Sequence, residues 1–101
     1  MSSFKLTEKA KADLKGIAIF SHQKWGKDQR NKYLFQFDQV FHKLADNPFL
    51  GPSCDYIRSG YRKFPVLGHV VYYRLGTNGK TVRIIRVLHK SMDVADAHFL
   101  G

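Results

Sequence analysis

The sequence contains one cysteine, Cys54, so no disulfide bond can form within the chain. Nothing in it therefore indicates an oxidising compartment. It has no run approaching the roughly 18 apolar residues that a membrane-spanning helix needs. The first residues, MSSFKLT, lead into charged residues and lack the apolar core of a signal peptide. These absences predict a cytoplasmic protein with no membrane partner.

Acidic residues are scarce as well. The chain has 8 Asp and Glu against 17 Lys and Arg, which gives a net charge of +9. Such an excess attracts polyanions, either nucleic acid or an acidic protein partner. Five of the six arginines follow residue 51, whereas most of the lysines precede it. Because the planar guanidinium makes bidentate contacts that an ammonium cannot make, these arginines are the more informative cations.

The residues that are present predict one folded domain over residues 1–101. A hydrophobic content of 44% suits a globular chain of this length, with a single modest core. In the first half, apolar residues recur at helical spacing in two stretches separated by Gly26, which predicts an antiparallel helical hairpin. Thr7 is placed to cap the first helix and Asp28 the second. The predicted buried stripes are Ala10, Leu14, Ile17, Ala18, Ser21 and Trp25, then Tyr33, Phe37, Val40, Phe41 and Leu44.

The second half changes to the period of strands. Gly76-Thr77-Asn78-Gly79 predicts a tight hairpin turn, since Asn-Gly tolerates positive φ. A short opening strand is predicted around Phe4 and Leu6. Strands rich in β-branched and aromatic residues are predicted at 57–66, 69–75 and 81–89.

Together these elements predict an α+β fold. Its order is an N-terminal strand, the two-helix antiparallel hairpin, an antiparallel three-stranded meander and a short C-terminal helix at 91–98, with the helices on one face of the sheet. Strict alternation along the last strand places Val82, Ile84, Arg86 and Leu88 on one face and Arg83, Ile85, Val87 and His89 on the other. Because both faces carry arginine, some guanidinium must lie at the edge of the core or in a concave site.

Several segments resemble, in order, the RelE/ParE superfamily of type II toxin–antitoxin systems, and ParE-type toxins in particular. None is specific alone, but their order covers nearly the whole chain. The resemblance implies the same β-α-α-β-β-β order that the periodicity predicts. The segments are FKLTEKAKADL at 4–14, WG at 25–26, GYRKF at 60–64, HVVYYR at 69–74 and IRVLHKSMD at 85–93.

The superfamily has two functional branches: RelE-like members cut messenger RNA at the ribosome, and ParE-like members inhibit DNA gyrase. RNA cleavage needs a base, an acid and cations on the phosphate. Arg62 matches the arginine of the RNase branch, but residues 52–57 lack its lysine pair and leave Asp55 as the only candidate base. His89 and Lys90 are followed by no arginine or tyrosine. The resemblance therefore favours the ParE branch and predicts no catalytic residue, with a ribosome-dependent endoribonuclease as the alternative.

Seven residues are candidates for binding the target or an antitoxin. Trp25 is predicted to lie in the core, although an exposed Trp25 would be an interface anchor. His89 is interpreted as a strand-end histidine that bonds the C-terminal helix, rather than as a general acid. Arg62, Arg83 and Arg86 have a structural alternative, pairing with Asp93 or Asp96. The candidates are Arg58, Tyr61, Arg62, Arg83, Arg86, His89 and Trp25.

Other residue types carry less chemistry. The remaining histidines and the single cysteine have no metal-ligand spacing, so neither a metal nor a cofactor is predicted. The abundant aromatics indicate a core supplemented by a patch that an antitoxin covers; they include Phe35, Phe41, Phe49 and Phe99.

The resemblance also implies the partners. These are a ParD-like antitoxin, whose acidic and apolar segment folds onto the toxin, and DNA gyrase, most plausibly its A subunit. No sequence-specific contact with nucleic acid is expected. Two further alternatives are a module that binds nucleic acid through its basic surface alone and a toxin that has lost its activity.

Overall fold

The computed structural model describes residues 3–92 of the chain. They contain two helices and four strands, joined by turns and loops. They confirm the predicted α+β class. Most of the short helix predicted at 91–98 lies outside the described residues. The elements are β1 (Ser3–Leu6), α1 (Glu8–Trp25), α2 (Lys27–Asp46), β2 (Tyr61–Val66), β3 (His69–Leu75) and β4 (Thr81–His89).

The helices begin and end at residues that the sequence marks. The Thr7 Oγ1 accepts a hydrogen bond from the Ala10 N–H at 3.1 Å, as expected of an N-cap. Gly26 ends α1 with φ +93°, a conformation that favours glycine. The prediction that Asp28 caps α2 is wrong, because the two helices share Gly26 as their common boundary and Asp28 falls inside the first turn of α2. Neither α1 nor α2 is long and apolar enough to cross a membrane.

The sheet has the strand order β1-β4-β3-β2. β2, β3 and β4 form the predicted antiparallel meander, with Gly79 at φ +71° in the turn before β4. β1 runs parallel to β4, so the sheet is mixed rather than wholly antiparallel. A parallel pair needs a long crossover, which α1, α2 and the first two strands of the meander provide here.

β2 begins at Tyr61, and the prediction that it begins at residue 57 is wrong. The Cys54 carbonyl oxygen accepts hydrogen bonds from the N–H groups of Ile57 and Arg58, at 2.9 and 3.2 Å. The Asp55 Oδ1 accepts another from the Gly60 N–H at 2.8 Å. These bonds close a turn over residues 54–60, which outweighs the β-propensity of Ile57 because a strand would leave the same groups unpaired.

Apolar side chains pack in two clusters on opposite faces of the sheet. The smaller cluster lies beside the 54–60 turn and contains Cys54, Tyr61, Tyr72, Ile85 and Leu88. The larger one joins the helices to the sheet through Ala10, Phe37, Phe41, Leu44, Val66, Val71, Tyr73, Val82, Ile84 and Val87. The second face of the sheet is therefore only partly covered.

A β-bulge in β4 changes which side chains reach each cluster. Tyr73 pairs with Ile84 but its neighbour Tyr72 pairs with Arg86, which leaves Ile85 as an extra residue. Beyond the bulge Val87 packs with the helices, on the same face as Ile84. The strict alternation predicted along β4 is therefore wrong after Ile85.

Candidate functional site

A groove of about 630 Å³ opens beside the end of the helical hairpin. α1 contributes one wall, and the turn between β2 and β3 contributes the other. The side chains that line it are mainly apolar or aromatic, and they include Ile17, Phe20, Ser21, Trp25, Tyr33, Leu67, His69 and His89.

Trp25 lies at the edge of this groove and is 47% exposed, so the prediction that it belongs to the core is wrong. Its indole meets the rings of Phe20 and Tyr33 edge-on, with centroids 6.1 and 5.6 Å away. The Lys24 Nζ lies 5.0 Å from the indole centroid. Since both aromatic neighbours belong to the helices, the indole packs on the surface of the hairpin rather than against the sheet. The alternative of an interface anchor is the one that this position favours.

Ser21 also faces the groove, and its side chain is almost fully buried. Within residues 3–92 its Oγ has no hydrogen-bond partner. A buried hydroxyl without a partner costs free energy. The groove therefore combines exposed aromatic rings with one polar atom that a bound segment could satisfy.

Two histidines lie at the sheet side of the groove. The centroids of their rings are 5.4 Å apart. His69 also packs edge-on against Phe37, with the ring centroids 5.8 Å apart. Burial lowers the pKa of His69, and the nearby His89 lowers it further. The His89 Nδ1 lies 2.7 Å from the Ser91 Oγ and accepts from the Ser91 N–H. His89 thus has the local bonding expected of a strand-end histidine.

Arg62 holds the segment that precedes the turn. Its Nη1 donates to the Gly51 carbonyl oxygen at 2.7 Å, and its guanidinium lies 4.9 Å from the Phe49 ring centroid. The Tyr73 hydroxyl accepts from the Gly51 N–H and donates to the Pro48 carbonyl oxygen, both at 2.9 Å. Arg62 therefore has a structural role in addition to any contact that it makes with a partner.

Asp55, the only candidate base of the RNase alternative, is also engaged in the turn. The hydrogen bond from Gly60 lowers the pKa of Asp55, and Ser53 contributes in the same direction. A lowered pKa makes a carboxylate a weaker base. Asp55 is therefore a weaker base than an ordinary carboxylate.

Arg86 is paired with a residue that the sequence analysis did not identify. Its Nε and Nη2 donate to the two carboxylate oxygens of Asp13 on α1, at 2.7 and 2.8 Å. Asp13 accepts a further bond from the Val87 N–H, and Thr7 donates its hydroxyl proton to the Ile85 carbonyl oxygen. β1 pairs with β4 only as far as Ile84. The side chains of Asp13 and Thr7 therefore bond the β4 backbone groups that lie beyond the end of β1. The proposed partners Asp93 and Asp96 lie outside the described residues.

The other three candidates meet in a basic cleft of about 230 Å³ on the second face of the sheet. Arg58 lies over the Tyr61 ring, 5.9 Å from its centroid, and Arg83 lines the same cleft. Tyr61 is buried and belongs to the smaller cluster. Lys9 and Arg74 also line this cleft and were missed, because neither sequence position carries a local signal for it.

The seven candidates therefore occupy separate places. Trp25 and His89 lie in the groove. Arg62 bonds the Gly51 carbonyl oxygen, and Arg86 pairs with Asp13 beyond the end of β1. Arg58, Tyr61 and Arg83 line the basic cleft. Across residues 3–92 there is no group of three or more His, Cys, Asp or Glu that could hold a metal ion.

Comparison with known proteins decides the family. Residues 4–94 match the family described as the ParE toxin of type II toxin–antitoxin system, parDE. This chain belongs to the ParE toxin family. It is 40% identical to Toxin ParE1 of Caulobacter vibrioides, over 97% of this chain and 98% of that protein. It is 39% identical to Toxin ParE1 of Mycobacterium tuberculosis H37Rv, over 92% and 94% of the two chains.

The fold agrees with that assignment. A solved structure of the chromosomal ParDE system from P. aeruginosa superposes with a TM-score of 0.74 at 23% identity, covering 88% of this chain and 96% of the other. This ParE toxin is therefore the toxin of a type II toxin–antitoxin system, in which an antitoxin is its partner. The predicted resemblance to ParE-type toxins is confirmed.

Proposed function

We propose that this ParE toxin blocks replication in the cytoplasm by binding DNA gyrase, through its A subunit, and stalling the covalent gyrase–DNA complex. The observation that carries the proposal is the family match, which spans β1 to β4 and continues to residue 94. The toxin acts by binding alone, and none of its own side chains makes or breaks a covalent bond.

The environment of Arg62 supports action without catalysis. Its guanidinium is bonded to the Gly51 carbonyl oxygen and stacked near Phe49. The nearby Asp55 is bonded to the Gly60 N–H, which lowers its pKa. A general base needs a pKa closer to the operating pH. Asp55 is therefore poorly suited to act as the base in RNA cleavage.

We also propose that a ParD-like antitoxin covers the groove beside the helical hairpin. Trp25 and Phe20 are exposed there and supply aromatic anchors for an apolar segment. The Ser21 Oγ, which has no hydrogen-bond partner among residues 3–92, supplies a hydrogen-bonding atom at the base. Acidic residues on the same antitoxin would increase the rate at which it associates with a chain of net charge +9.

Incubating the purified toxin with gyrase, ATP and relaxed plasmid tests the gyrase target. The expected result is a loss of supercoiling together with linear DNA that protease treatment releases from trapped gyrase. Toxin mixed beforehand with excess antitoxin is the control, and it should leave supercoiling intact. Full supercoiling with no trapped complex would contradict the proposal. Codon-linked cuts in translated messenger RNA would instead assign RNA cleavage.

A further inference from the structure

Four residues in register form one row across the sheet. Tyr61 on β2 pairs with Arg74 on β3, Arg74 pairs with Arg83 on β4, and Arg83 pairs with Lys5 on β1. Neighbouring strands are about 4.8 Å apart. Three cations therefore follow one another across three adjacent strands, and we call Lys5, Arg83 and Arg74 the cationic row.

The cationic row lies on the face of the sheet that the helices do not cover. Side chains alternate along a strand, and the residues next to the row pack on the helical side. These neighbours are Tyr73 beside Arg74 and Ile84 beside Arg83. Arg74 and Arg83 accordingly line the basic cleft on the second face, with Tyr61 beneath it.

This arrangement is unfavourable for the fold by itself. Like charges placed directly opposite each other destabilise an antiparallel pair. Within residues 3–92, neither Arg74 nor Arg83 is ion-paired with a carboxylate. A charge on an edge strand can be explained as protection against aggregation, which accounts for Lys5 on β1. It does not account for Arg74 and Arg83, because β3 and β4 are the two central strands.

The shape of the surface suits a small anionic group that repeats. The basic cleft, at about 230 Å³, falls below the roughly 300–1,000 Å³ of pockets for drug-sized ligands. Among residues 3–92 its lining includes the two arginines of the row together with Lys9 and Arg58, and no Asp or Glu. Arg83 also lines a second cleft, of about 400 Å³, with Lys5. Two neighbouring clefts that share one arginine match a polymer with successive anionic groups better than a single anion.

We propose that the cationic row binds the phosphate backbone of nucleic acid without reading its sequence. The guanidinium fork suits phosphate oxygens, to which it can bond in pairs. Nucleic acid carries a phosphate at every nucleotide, so its charge repeats along the polymer as the neighbouring clefts do, and an acidic peptide is the competing occupant that the experiment below distinguishes. The inference does not depend on gyrase being the target, since it concerns the free toxin and nucleic acid alone.

Fluorescence anisotropy with a short labelled DNA duplex tests the proposal. Binding should weaken linearly with the logarithm of salt concentration, and two duplexes of unrelated sequence should bind equally. The test variant is the double substitution Arg74→Gln and Arg83→Gln. The expected result is roughly tenfold weaker binding for each arginine removed, with the salt slope reduced by about 1 for each.

The matched control is the double substitution Lys15→Gln and Lys32→Gln, which removes the same charge from exposed positions on α1 and α2. It should keep the wild-type salt slope. Because the test variant relieves like-charge repulsion, its melting temperature should equal or exceed that of the wild type. This result would show that weaker binding does not come from misfolding.

Two results would overturn the inference. One is a test variant that retains the wild-type affinity and salt slope for DNA. The other is a glutamate-rich peptide of the same charge as the duplex that binds as tightly and loses the same affinity in the test variant. The second result would assign the cationic row to an acidic protein partner. Neither result bears on gyrase inhibition, which the supercoiling assay measures separately.

Discussion

Arg86 on β4 and Asp13 on α1 form a two-pronged ion pair, although 73 positions separate them in the chain. The same carboxylate accepts the Val87 N–H. Both side chains are less than one-fifth exposed. One interaction thus fixes the first helix against the last strand and satisfies a backbone group beyond the end of β1.

Replacing Asp13 with alanine should therefore destabilise the fold. It leaves the Arg86 guanidinium partly buried without this carboxylate and leaves the Val87 N–H without its acceptor. We expect a loss of about 3 kcal/mol in the free energy of unfolding, measured by urea denaturation. Asp38→Ala is the control, since its contact with His42 is exposed and should contribute less than about 1 kcal/mol. Equal losses for the two variants would contradict the structural role of Asp13.

The close approach at Gly51 should not tolerate a side chain. A Cβ there would clash with the Lys63 carbonyl oxygen and would lie 2.8 Å from the Tyr73 hydroxyl. Because the first of these is a backbone atom, Gly51→Ala should destabilise by about 3 kcal/mol in urea denaturation. Gly16→Ala is the matched control, as nothing lies within 4 Å of its Cβ position. In the middle of α1 that change should stabilise by about 0.5–1 kcal/mol.

Ser21→Ala should change toxin stability and antitoxin binding in opposite directions. Removing a buried hydroxyl that has no partner within the described part of the chain should stabilise the free toxin by about 1 kcal/mol, as read from its urea midpoint. The same change should weaken antitoxin binding by a similar amount if the antitoxin bonds this oxygen. Isothermal titration calorimetry measures the second effect. A destabilised free toxin would show that Ser21 already has a partner.

Trp25→Ala should weaken antitoxin binding more than it affects folding. The indole is 47% exposed, so its truncation removes little core packing. As an interface anchor it should contribute about 2 kcal/mol or more to the binding free energy, measured by calorimetry. Tyr56→Ala is a suitable control, because Tyr56 is more exposed and lies outside the groove. If both variants bind equally well, the antitoxin lies elsewhere.

The free energy of unfolding should decrease as the pH falls through the range in which histidine titrates. Burial, and secondarily the charge of His89, lowers the pKa of His69 in the folded state, while the Leu67 carbonyl oxygen and Asp13 act in the opposite direction. The folded chain therefore binds fewer protons than the unfolded chain between the lowered pKa and about 6.5. The contribution of His69 is fully present above that range and is lost as pH falls through the lowered pKa. The difference between the urea midpoints of the wild type and His69→Gln should be constant above about pH 6.5 and should shrink as the pH falls below it.

Local sequence features predicted much of the secondary structure. Thr7 caps α1, Gly26 separates the helices, and Asn78-Gly79 forms the turn before β4, because each acts through bonds or dihedral angles within a few residues. The α+β class follows from the two apolar periods, which depend only on neighbouring positions. The exceptions, Asp28 and Ile57, are places where a neighbouring glycine or a side-chain hydrogen bond prevailed over propensity.

The sequence by itself thus determined the elements, their order and the excess of positive charge. Only the tertiary structure decided where the functional side chains lie. A single extra residue, Ile85, makes the side chains that follow it in β4 point to the opposite face of the sheet from the one that strict alternation gives. No local sequence pattern predicts such a bulge. The pairing of Asp13 with Arg86 and the alignment of Lys5 with Arg83 and Arg74 depend on strand register and helix packing over long separations. Those are properties of the assembled sheet, because only there do residues distant in sequence come within bonding distance.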